Sequence, residues 1–221
     1  MAKVKLSKKS TRIDMTAMCD VAFLLLSFFI MTATAKQPEP KPVDTPQSTI
    51  EDKIPEEGVA TITVGGKQIY FLMPKEIRIP TLKAMSKLRN VEFTDEQYAD
   101  FEKMEGFGVP ITKLKSLLEL PAGDRVRPGV QEGIPYDSIN NNNQLAEWVK
   151  MAREAQRTIY LDKYEKNEIT VDEFKVKGDL GIAIKGDAKE EYPIIKRVMD
   201  ILQEQKKNKF YLVTGLRNED F

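Results

Sequence analysis

The stretch LGIAIKGDAKEEYPIIKRVMDILQEQKKNKFYLVTG, Leu180 to Gly215, decides how the C-terminal half folds. LGIAIKG and KFYLVTG are short β-branched runs of the kind that sit inside a sheet. Between them, Ile194, Ile195, Val198, Met199, Ile201 and Leu202 recur at helical spacing, so DAKEEYPIIKRVMDILQEQK reads as a helix with one apolar face. A strand, a helix and a strand with a connection this long predict a β-α-β unit with parallel strands.

Working outward, VATITVGGKQIYFLM (Val59 to Met73) alternates on either side of Gly65-Gly66, the pattern of a tight β-hairpin. Helices are expected over about 80–88 after Pro80, over DEQYADFEKM behind Thr94 with Gln97 at the capping-box position, and over Pro110 to Leu120. Pro121 to Asn143 reads as a loop. Gln144 to about Lys163 reads as a longer helix whose apolar side holds Leu145, Trp148, Val149, Ala152 and Ala155. The fold class expected is therefore α+β over residues 59–221.

Upstream, Lys36 to Gly58 carries prolines at 38, 40, 42, 46 and 55 and little that is apolar, which suits an extended linker that bridges distance without packing. Before it, Ala17 to Ala35 is apolar enough to be a transmembrane helix; at ~1.5 Å per residue it reaches ~28 Å, close to the hydrocarbon thickness of a bilayer. Lys3, Lys5, Lys8, Lys9 and Arg12 precede it, whereas Lys36 alone follows closely. That asymmetry puts residues 1–16 in the cytoplasm as a basic tail and everything after the span outside. With Asp14 and Asp20 included, residues 1–35 carry +3, leaving −3 for 36–221.

Lysine and arginine (34) balance aspartate and glutamate (34), so no overall basic field points to nucleic acid as a partner. There is no histidine, and the one cysteine is Cys19; a structural zinc site, an intrachain disulfide and the commonest general base are all ruled out. Gly65-Gly66 opens no helix with a following lysine and hydroxyl pair, so it is not a phosphate loop. The chain is expected to be no enzyme and to hold no cofactor or metal. Asp95, Glu96, Asp187, Glu190 and Glu191 read as solvated acids at helix starts, and Trp148 as core.

What stands out is Asp20, placed against the charge-free run Val21 to Met31. Thr16, Ser27 and Thr34 fall within about 40° of it on a helix at 100° per residue. Four polar groups on one stripe would be costly facing lipid, so the stripe is expected to face another protein helix or a water-filled seam. Withdrawal from water disfavours a charged carboxylate, which is the property a proton carrier needs. Two plainer readings stand beside this. In one, Asp20 snorkels to the interface while the hydroxyls bond back to the helix. In the other, the basic start, apolar run and Ala33-Thr34-Ala35 form a signal peptide cleaved before Lys36, releasing a secreted binding or scaffold protein.

IDMTAMCDVAFLLLSFFIM resembles the transmembrane segment of the ExbD/TolR biopolymer-transport family, where a threonine lies four residues before an aspartate followed by Val and an aliphatic run. Thr16 and Asp20 fall on those positions. The tail from Ile182 to Gly215 is similar to the family's closing strand, helix and strand, including Val198, Met199, Asp200 and Leu202. Two departures are visible: Ala17 where the family often has proline, and a long middle, about 91–161, which looks like an insertion.

The resemblance implies a proton-motive-force-coupled motor subunit of a bacterial inner membrane, single-pass, with its C-terminal domain in the periplasm. Asp20 would carry the proton, with Thr16, Ser27 and Thr34 as a supporting polar stripe. The implied partners are an ExbB-like multi-span ring subunit, a TonB-like protein, a second copy of the chain as a homodimer, and the lipid bilayer. A TolR-like role in envelope maintenance uses the same physics and stays open beside TonB-dependent transport.

Overall fold

In the computed structural model, residues 15–32, 39–48, 54–55, 57–136 and 142–216 are described. The chain divides into two compact units, residues 1–36 and 37–221. The first is built on the helix α1, Met15–Thr32. It starts two residues before the expected span; the expected end at Ala35 and the basic tail before Asp14 lie outside the described residues.

In the second unit the hairpin forms as its alternation predicts, from β2 (Val59–Gly65) and β3 (Gln68–Leu72), paired Val64 to Ile69 and Gly65 to Gln68. Its turn is Gly66-Lys67, one residue later than expected, with φ of 60° and 62°. Both central residues are left-handed, as the right-handed strand twist requires of a two-residue loop. The segment preceding the hairpin contains β1 (Gln47–Ser48).

The C-terminal unit also forms. β5 (Gly181–Gly186) and β6 (Tyr211–Val213) run parallel, joined through α8 (Tyr192–Glu204). The helix begins later than the expected stretch because Pro193, near its first position, fixes the entry and Asp187 to Glu191 form a turn instead. β5 lies beside β2, and a short β4 (Gly106–Phe107) pairs with β3, giving the order β4-β3-β2-β5-β6.

Register places Ala60, Ile62, Val64, Ile69, Phe71, Ile182 and Ile184 on one face of this sheet, all buried in a core shared with Val198, Ile201 and Leu202 of α8. Removing such side chains from water is the main favourable term in folding, about 1.5–3 kcal/mol for each large one.

The middle of the chain supplies the remaining helices. α2 (Lys75–Arg89) starts five residues before the expected helix and takes Pro80 inside it. Its first turn is pinned by Arg78, which donates to Met73 O (2.9 Å) and Glu102 O (2.7 Å), enough to outweigh one missing backbone bond. α3 (Asp95–Lys103) has the expected capping box between Thr94 and Gln97, and α4 (Ile111–Glu119) follows. A single turn, α5 (Ala122–Arg125), interrupts the expected loop.

α6 (Gln144–Glu165) buries Leu145, Trp148, Val149, Ala152 and Ala155, the apolar side its sequence marks. α7 (Val171–Lys177), capped by Thr170 and Glu173, was not expected. Residues 91–161 join the same core as the sheet. Trp148 is fully buried, 4.7 Å from the Phe107 ring and 6.2 Å from Phe101, and Arg89 grips Glu147 with two bonds of 2.6 and 2.7 Å.

One expectation fails. The linker does pack: Lys185 is 2.7 Å from Glu39, Ala188 N donates to Asp44 O (2.7 Å), and Gly215 N donates to Pro46 O (2.9 Å). β1 then pairs in parallel with β7 (Gly215–Leu216). The physical reason lies in the backbone. An extended proline-containing segment keeps its carbonyls free, and here the turn after β5 and the first residue of β7 supply the donors.

Candidate functional site

α1 is a continuous apolar helix because Val21 to Ile30 offers long or aromatic side chains and no proline or glycine. Among the described residues it is the one helix long and apolar enough to cross a membrane. None of its side chains is buried. Asp20 is its only charged residue.

Thr16 lies one turn before Asp20, about 6 Å along the axis, and Ser27 two turns after it, about 10.5 Å along, both on its face. The Ser27 hydroxyl donates to Leu24 O at 2.9 Å, so its proton is committed to the helix while its oxygen can still accept. Thr34 lies outside the described residues. Thr32, not singled out in sequence, donates to Phe28 O at 2.8 Å and stands about 120° from Asp20, off the stripe.

A lone carboxylate on an apolar helix is costly in a bilayer unless a second surface or water meets it. Of Thr16 and Ser27, Thr16 stands nearer to Asp20 along the axis.

In the second unit, Asp95 and Glu96 occupy the first turn of α3 as expected. Two of the other acids have a different task. Glu190 accepts from Lys67 N at 3.0 Å, and Glu191 pairs with Lys67 Nζ at 3.3 Å, so both tie the hairpin turn to the entry of α8. Sequence position alone hides this, because Lys67 and Glu190 are 123 residues apart.

Arg125, also missed in sequence, is a buried cation. It donates to Leu118 O (2.7 Å), Leu120 O (2.8 Å) and Asp100 (3.0 Å); the last of these bonds, with one from Lys103 at 3.3 Å, holds the Asp100 carboxyl below its usual range. Its role is to close the turn after α4.

A family model described as biopolymer transport protein ExbD/TolR matches residues 7–216. No curated protein and no solved structure matches the chain.

Proposed function

The chain belongs to the ExbD/TolR family of biopolymer transport proteins, and on that premise we propose that it is the proton-responsive subunit of an inner-membrane motor of the ExbB/ExbD type. In this reading residues 1–16 are cytoplasmic, 17–35 cross the membrane, and 36–58 lead into a periplasmic domain over 59–221, with 91–161 as its insertion. The observation that carries it is Asp20, the sole charge of an apolar helix, one turn from Thr16 on the same face.

The helix cannot bear that carboxylate in lipid alone, so it seats against a multi-span ring partner and a second copy of itself. Each proton passing down a potential of 100 mV delivers about 2.3 kcal/mol. A few protons per cycle therefore suffice to move an attached domain and, through a TonB-like protein, to energise transport across the outer membrane.

The test is Asp20→Asn beside Asp20→Glu, scored by energised uptake with expression and partner co-purification as controls. Asn keeps the shape, with an amide nitrogen in place of one oxygen, but cannot cycle a proton. Uptake is expected to fall to background in Asp20→Asn with assembly intact; retained uptake overturns the proposal. If the same variant spares uptake and instead weakens the cell envelope, the role is that of a TolR-like subunit.

A further inference from the structure

Residues 36–221 carry net negative charge, yet one face of the domain gathers cations. Lys150, Arg153 and Arg157, at positions that share a side of α6, line a cleft of about 700 Å3 with Lys175 of α7, against only Glu154 and Asp179. Phe174, stacked on Tyr164 at 5.6 Å, lines it too and supplies an aromatic surface.

The acid at the wall is already committed. Asp179 accepts from Lys207 Nζ at 2.6 Å, a lysine whose side chain is 8% exposed, and stands 3.7 Å from Arg153 Nη2. Arg153 Nη1 donates to Gln205 O at 3.0 Å. Among the described residues, buried side-chain polar atoms without a hydrogen-bond partner are few, and Arg153 Nε and Gln205 Oε1 on this wall are two of them. The wall thus keeps unused hydrogen-bonding capacity at those two atoms, while Lys175 stands 3.8 Å from the exposed Asp172, a pair weak enough to exchange for another carboxylate.

A second cleft of about 570 Å3 shares Lys175 and Asp179 and adds Lys177, Lys207 and Lys209. Pro55 and Glu57 line it, and Glu57 stands 3.8 Å from Lys177 Nζ. Pro55 and Glu57 of the chain itself therefore already lie at one end of the basic surface. A carboxylate is therefore accommodated at that end.

We propose that the two clefts form one groove that binds an extended acidic peptide segment of a partner protein. Carboxylates of the segment meet Lys150, Arg157 and Lys175, and an apolar side chain between them lies on Phe174. Arginine suits this task because its planar fork takes a carboxylate in two parallel bonds. None of these residues belongs to α1, so the groove is independent of the proton-carrying site.

The experiment titrates the full chain in detergent with a fluorescent peptide of repeating Glu-Pro-Glu-Leu units, followed by anisotropy. Saturable binding is expected, weakening as salt rises. The doubly reversed variant Lys150→Glu/Arg157→Glu, whose side chains are exposed, is expected to raise Kd by at least about tenfold with Trp148 emission unchanged. Equal binding of the variant, or of the Gln-for-Glu peptide, overturns the proposal. Displacement of the peptide by inorganic phosphate at equal charge overturns it as simple anion attraction. Binding of anionic vesicles without binding of the peptide overturns it in favour of a membrane surface.

Discussion

At the scale of single residues, distance along the helix ranks the polar groups around Asp20. Thr16 is about 6 Å away along the axis and Ser27 about 10.5 Å, with its proton committed to Leu24 O. Thr16→Ala is therefore expected to slow energised uptake clearly more than Ser27→Ala, as initial rates of uptake would show. Arg125 carries a different weight. Arg125→Leu leaves the carbonyls of Leu118 and Leu120 without their donor, at a cost of about 2–4 kcal/mol, to be read by urea unfolding on the emission of Trp148.

The partner of that arginine sets a pH dependence. Because the Asp100 carboxyl is held low in the folded chain, first of all by its bond from Arg125, the unfolded chain binds its proton first as pH falls. The contribution is thus full above the ordinary carboxylate range, about pH 4, and disappears as pH drops through the depressed folded value. Asp100→Asn is expected to lower stability by a constant amount above about pH 4 and to lose that difference as pH falls below it, read by urea unfolding across pH.

At the scale of elements, local chemistry was legible and long-range chemistry was not. The capping box at Thr94 and Gln97 lies three residues apart and could be read directly; Thr94→Ala is expected to cost about 1 kcal/mol, again by urea unfolding. The equivalent box at Thr170 and Glu173 carries the same signal, so α7 was open to the same reading. α2 was cut short because Pro80 is a breaker by local rules, while the Arg78 bonds that hold its first turn come from Met73 and Glu102. Asp20 was visible because a charge inside an apolar run needs no partner to be noticed. The groove cations were not, since α6, α7 and the segment after α8 are brought together only by folding.

At the scale of the whole molecule, residues 39–48 belong to the domain. Their bonds from Ala188 N and Gly215 N predict slow hydrogen exchange at both amides. Deleting residues 39–48 is expected to speed exchange at both by at least about tenfold, measured residue by residue.

Cys19, exposed on α1, is the single thiol of the chain and the immediate neighbour of Asp20. The molecule is in effect its own single-cysteine variant. A spin label or crosslinker placed there reports on the carboxylate's surroundings without any substitution. In a complex containing two copies it yields one intermolecular separation, free of the ambiguity that a second thiol would add.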